Sequence, residues 1–264
     1  MKDRYTGDLG DFGKYGLLKA LCGDSQVGPS LSLGVVWYLT PDEEGSGDGG
    51  HVPSDKNRDR LRPCDPPLFD SLHDIIERGP REVASIRRRG LLPAGTVYFE
   101  AALSFDGLQG SEQGAREVRL VHRERWFKGA LDATEGCKVV FLDPDKGLEI
   151  ASTGRHEKDS PQYVYFDELE RFRTRGQSVV IYQHIHRKRG ETAQIQIDQR
   201  FAKIREHIGS EDAFALLYHR GTARAFFVVP ADTETRQLLL ERSQSFVEGL
   251  WGRYGHFDLV IQPS

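Results

Sequence analysis

The chain has little cysteine, a single methionine, no long apolar run and no excess of charge of one sign. Its three cysteines, Cys22, Cys64 and Cys137, lie far apart in 264 residues and form no CxxC. A disulfide framework and a cysteine-based zinc site are therefore not expected, and the three read as reduced thiols. No apolar stretch approaches the roughly 18 to 20 residues that a membrane-spanning helix needs. The opening MKDRYTGDLGDFGKYG puts no apolar core behind its charges. No secretory leader is legible there, so the expected address is the cytoplasm. With 36 basic against 40 acidic residues the net charge is −4, which provides no global basic field of the kind many nucleic-acid binders carry. Repeats at solenoid periods are missing too.

What is present is alternation. Short β-branched and aromatic runs stand at 33–39 (LGVVWYL), 96–100 (TVYFE), 116–122 (REVRLVH), 138–143 (KVVFLD), 178–184 (SVVIYQH), 213–220 (AFALLYHR) and 223–230 (ARAFFVVP). Such runs have the character of strands buried on both faces of a parallel sheet. Between them, FGKYGLLKALC, PPLFDSLHDIIERG, ERWFKGALDATEG, YFDELERFRTRG, QIDQRFAKIREHIG and TETRQLLLERSQSFVEGLW carry apolar residues three and four apart. Several of these close on glycine, as helices do. Strands alternating with helices predict right-handed βαβ units, hence an α/β fold with a Rossmann-like, doubly wound, mostly parallel sheet in one domain over 1–264. The tail breaks the pattern. Only Gly221 and Thr222 separate the last two runs, too few for a parallel crossover, so a C-terminal antiparallel hairpin is expected. DLVIQ (258–262) reads as an edge strand, and 40–67 and 153–162 read as long loops rich in Gly, Pro, Asp and Ser.

In open α/β sheets ligands bind at the carboxyl ends of the strands. Asp143 in VVFLDPDKGLE ends an apolar run and is followed by Pro144, Asp145, Lys146, Gly147 and Glu149. Three carboxylates in seven residues can hold a cation, orient a substrate amine or accept a proton; the plainer alternative is an Asp capping the next turn. At the N-terminus, GDLGDFGKYGLLKAL sets Asp11 and Lys14 among glycines ahead of an apolar helix. A helix end of this kind can meet an anionic or zwitterionic ligand, or its glycines can serve close packing. Glu100 closes TVYFE, where an acidic residue can accept hydrogen bonds from a ribose. GSGDGG (45–50) starts six residues beyond Leu39, too late for a phosphate cradle at the strand end. YQHIHRKR sets His184 and His186 beside Arg187, Lys188 and Arg189; the histidines could ligate a metal, though no third ligand stands nearby in sequence, and the cluster can contact phosphate or line a solvated face. Arg supplies 26 of the 36 basic residues, and its planar fork suits phosphate.

Taken in order, these pieces resemble the class I S-adenosylmethionine-dependent adenine-N6 methyltransferases, in particular the bacterial adenine-N6 methyltransferases of large-subunit rRNA. A mostly parallel sheet with a C-terminal antiparallel pair is the plan of that class. GDFGKYGLLKAL is similar to the family's cofactor-contacting N-terminal segment, and GLLPAGTVYFEAAL to the strand whose acidic end holds the cofactor ribose. VVFLDPDKGLE is similar to the run into the Asp-Pro-Pro-Tyr motif that grips the target amine. At the third and fourth positions of that motif this chain has Asp145 and Lys146. The resemblance implies S-adenosylmethionine as cofactor, with Asp11, Lys14 and Glu100 contacting it. It implies Asp143, Pro144 and Asp145 at the reacting end, and His184, Arg187, Lys188 and Arg189 toward an RNA, DNA or nucleotide substrate. Read without the resemblance, Asp143, Asp145 and Glu149 could instead hold Mg²⁺ in a metal-dependent nuclease or phosphoesterase, or the fold could be a non-catalytic binding module.

Overall fold

A computed structural model describes residues 1–24, 26–42, 55–108, 112–187 and 189–262. In chain order the elements are α1 (Leu9–Cys22), β1 (Leu33–Trp37), α2 (Asp55–Leu61), α3 (Pro66–Arg78), α4 (Ala84–Arg88), β2 (Val97–Phe99) and α5 (Glu112–Ala133). There follow β3 (Val139–Asp143), β4 (Gly147–Leu148), β5 (Tyr163–Val164), α6 (Phe166–Arg173), β6 (Ser178–His184) and α7 (Ala193–Ile208). The tail contributes β7 (Phe214–Tyr218), β8 (Arg224–Val229), α8 (Thr233–Glu248), α9 (Leu250–Arg253) and β9 (Phe257–Ile261).

Seven strands form one sheet in the order β2-β1-β3-β6-β8-β7-β9. The first four are parallel, while β8 pairs antiparallel with both β6 and β7, and β9 antiparallel with β7. The fold is thus the expected Rossmann-like α/β sheet. The hairpin is present, but its second strand is inserted between β6 and β7. The expected edge strand is β9, of which only Phe257 is buried.

Residues of β1, β3, β7 and β8 are buried throughout, because helices cover both faces. Successive side chains point to opposite faces of a strand. Val35, Trp37, Phe141 and Phe226 accordingly pack in one core with α1, α3 and α8, while Val36, Leu142, Ile181 and Phe227 pack in the other with α5, α6 and α7. Burying each such side chain contributes roughly 1.5–3 kcal/mol.

The helices start where side chains cap their free N–H groups. Asp8 accepts from Asp11 N, Asp65 from Leu68 N, Thr192 from Ile195 N and Asp232 from Thr235 N. Glycine lets α1 lie close to the sheet. A Cβ on Gly13 would come within 2.6 Å of the Tyr218 ring, and one on Gly16 within 2.3 Å of Trp251.

Three expectations are corrected. The run 116–122 is not a strand but lies inside α5. Its β-branched valines misled, since Val118 and Val121 are exposed, and the buried side is Arg123, Trp126, Phe127, Ala130 and Leu131 at helical spacing. The segment 40–67 is not all loop, because α2, a 3₁₀ turn at Arg62–Cys64 and the start of α3 occupy its second half. The segment 153–162 is held at its base by the unforeseen two-stranded pair β4–β5. GSGDGG (45–50) lies outside the described residues.

Candidate functional site

The chain crosses from β1 to β2 on one side and to β3 on the other, so the carboxyl ends of β1 and β3 flank the topological switch point. Asp143 ends β3 in register with Trp37 of β1. Its Oδ2 is 2.7 Å from Lys14 Nζ, and the same ammonium is 2.8 Å from Asp11 Oδ1. Asp11 Oδ2 in turn accepts from Gly7 N at 2.9 Å. The rings of Tyr15, Trp37 and Tyr182 surround the ammonium at 5.6, 5.6 and 5.8 Å, within cation–π range. The Met1 α-amine lies beside them, donating to Tyr38 O at 2.9 Å and to Asp143 O at 3.4 Å.

This cluster is sealed: Lys14, Asp11 and Asp143 are 4%, 1% and 2% exposed. Burial works against the Lys14 charge, but Asp11 and Asp143 outweigh it and hold the ammonium above the usual lysine range. Burial pushes the Asp143 carboxyl upward against the pull of Lys14 and the α-amine. Across β1 on the other face, Arg123 makes a two-pronged pair with Glu168 at 2.8 and 3.0 Å and donates to Ser160 O and Tyr163 O. Tyr38 OH donates to Glu168 at 3.1 Å. These bonds fix α5 and α6 beneath the switch point.

The structure therefore brings Asp11, Lys14 and Asp143 together, as a closed ion cluster. An Asp143 facing an open cleft is not what is found. Pro144 is buried in the turn and Asp145 is half-buried, its charge felt by both the α-amine and His184. Glu100 follows β2, two strands from Asp143. One of its oxygens is 3.3 Å from Arg87, while Oε1 is buried without a hydrogen-bond partner. Between the β1 and β2 loops is a cavity of about 230 Å³, lined by Lys2, Thr40, Asp42, Phe105 and Lys158 among others. It is smaller than the roughly 300–1,000 Å³ of most small-molecule sites.

The three carboxylates of the metal reading do not converge. Asp143 is held by Lys14, and Glu149 Oε1 accepts from Phe166 N at 2.7 Å, capping α6. Among the described residues no three His, Cys, Asp or Glu side chains form a metal-ligating group.

At the end of β6, His184 is half-buried and His186 exposed, their rings 4.7 Å apart, edge to face. Burial, then the charges of His186 and Arg224, push His184 down to about 4, so the ring is neutral at neutral pH. Arg187 and Arg189 are exposed, and Lys188 lies outside the described residues. Beside the histidines stands Arg200 of α7, which the sequence reading missed. The sequence shows only that no partner stands on its own helix, since Gln196, Ile197, Lys203 and Ile204 occupy the positions three and four away and none offers a carboxylate.

Among the described residues, no helix is long and apolar enough to cross a membrane. No protein-family model matches the chain, and no curated protein shows significant similarity to it.

Proposed function

We propose that the chain is a Rossmann-like, S-adenosylmethionine-dependent methyltransferase acting on a nucleic acid or nucleotide. The observation that carries the reading is Glu100 Oε1, a buried acceptor without a partner at the carboxyl end of β2, beside the switch point. An unpaired buried acceptor costs free energy, and a ribose hydroxyl would satisfy it. The cofactor would supply an electrophilic methyl group. The chain's own part is positioning. Asp143 already accepts two amino groups, the Lys14 ammonium on its carboxylate and the Met1 amine on its carbonyl, so the end of β3 is suited to holding an amine. The insertion of β8 between β6 and β7 supports the same plan, and the exposed Arg187 and Arg189 at this edge suit phosphate.

A second reading, a non-catalytic binding module on the same fold, is favoured by the 2% exposure of Asp143 and its pairing with Lys14, which leave its carboxylate little freedom to serve a substrate. Calorimetric titration with S-adenosylhomocysteine and a methyl-transfer assay on RNA and DNA separate the two. Binding with transfer supports the enzyme, binding without transfer supports the module, and no binding removes the cofactor from both. Glu100→Ala should weaken binding by about 1–3 kcal/mol if Glu100 accepts from the ribose; an unchanged affinity takes Glu100 out of the site.

A further inference from the structure

The carboxyl end of β6 opens into a cavity of about 270 Å³ lined by Gln183, His184, Ile185, His186, Glu191, Gln196, Gln199 and Arg200. Two of its glutamines, Gln183 and Gln196, are fixed by hydrogen bonds to backbone. Gln183 donates to Lys146 O and His184 O and accepts from Leu148 N. Gln196 clamps the His186 backbone, accepting from its N–H at 3.0 Å and donating to its carbonyl at 2.8 Å. A site whose walls are locked before the ligand arrives loses little entropy on binding.

Arg200 is the open group on this wall. The fully buried arginines are well supplied: Arg123 meets Glu168 and two carbonyls, and Arg224 meets two carbonyls with Asp8 3.6 Å away. Arg200, half-buried, makes one hydrogen bond, to Glu149 O at 3.1 Å. No carboxylate lies within ion-pair distance of it among the described residues. A guanidinium has five N–H donors, so the fork of this cavity-lining arginine keeps most of its donors without a protein acceptor. Burial lowers its pKa, which is the mark of a cation not yet compensated.

The surroundings select the sign of the ligand. Lys146 and Arg200 both act on His186, and Arg224 acts on His184. Against them stand Asp145, felt by His184, and Glu191 on the cavity wall. The histidines are neutral, so each ring presents an N–H donor without adding charge.

We infer that this cavity is a binding site for a single phosphoryl group, taken by the Arg200 fork with N–H donors from His184 and His186. The tetrahedral group has enough oxygens for the fork and both rings, where a carboxylate has two. The inference rests on the cavity and its unpaired cation, and stands or falls without the methyl-transfer reading. The phosphoryl group has two sources, a phosphodiester in a polynucleotide or the terminal phosphate of a small molecule.

Calorimetric titration with inorganic phosphate, AMP, a dinucleoside phosphodiester without terminal phosphate, and acetate tests it, no cofactor being added. The parent should bind phosphate and AMP or the diester. Binding of the diester assigns the site to a polynucleotide, and binding of AMP and phosphate alone to a small molecule. Arg200→Gln, checked by its melting curve, should weaken binding at least about tenfold, as loss of a charge-assisted fork does. Lys203→Gln, on the same helix but outside the cavity and paired with Glu206, should leave it unchanged. Acetate binding as tight as phosphate overturns the phosphoryl assignment. No binding of any probe, or a folded Arg200→Gln that binds like the parent, overturns the site.

Discussion

Strands β3 and β6 are neighbours and end at the same edge of the sheet, yet the charges at their ends are arranged in opposite ways. At β3, Lys14 sits between Asp11 and Asp143 at 2.8 and 2.7 Å, inside three aromatic rings and away from water. At β6, Arg200 has one carbonyl for five donors and opens on a cavity beside two neutral histidines. A cluster that neutralises itself holds the fold together and offers a ligand little. An unneutralised half-buried cation costs stability, and an arriving anion would remove that cost.

The largest effect that sharpens this contrast is Lys14→Met. It strands two buried carboxylates without their cation, and breaking a buried pair in this way costs about 3–5 kcal/mol. Urea denaturation should show the loss directly. A cost below about 1 kcal/mol, as for an exposed pair, would make the cluster a poised site and erase the distinction from β6.

A smaller effect concerns His184. Its folded pKa is lowered to about 4 from the ordinary 6.5, so between those values the unfolded chain binds the proton more readily. Stability therefore falls as pH drops from about 6.5 to about 4 and levels off below. Urea midpoints across that range should trace the fall, His184→Gln should flatten it, and added phosphate should reduce it by favouring the protonated ring. A flat profile in the parent would mean that the ring is open to water, and the β6 end an ordinary surface.

The smallest change in stability belongs to the exposed arginines. Arg187→Glu with Arg189→Glu should shift stability by no more than about 0.5 kcal/mol. The same pair should flatten the salt dependence of polynucleotide binding by about one unit of log–log slope per lost phosphate contact. An unchanged slope would confine any phosphate recognition at this edge to the cavity.

The fold was largely legible because burial on both faces writes strands as unbroken apolar runs. SVVIYQH matches β6 residue for residue, and KVVFLD and DLVIQ fall within a residue or two of β3 and β9. The run 116–122 failed because the β-branched Val118 and Val121 read as strand residues, although they lie on an exposed helix face. The site was legible in part. Asp143, Lys14 and Asp11 were singled out as chemistry-bearing residues, and the structure brings them together. Their mutual neutralisation was not legible, since Lys14 and Asp143 are 129 positions apart and nothing local says that they meet.

By itself the sequence determined most of the elements, their alternation, the sheet's mostly parallel character and the antiparallel tail, because periodicity and short connections are local constraints. Only the tertiary structure decided that the N-terminal glycines serve close packing against Tyr218 and Trp251. It alone decided that Asp143 is sealed and that Arg200 is left with an open fork. Whether a charge is paired depends on which distant side chains the topology delivers within about 3 Å, the reach of a charge-assisted hydrogen bond, and that reach is set by packing across the sheet and not by neighbours in the chain.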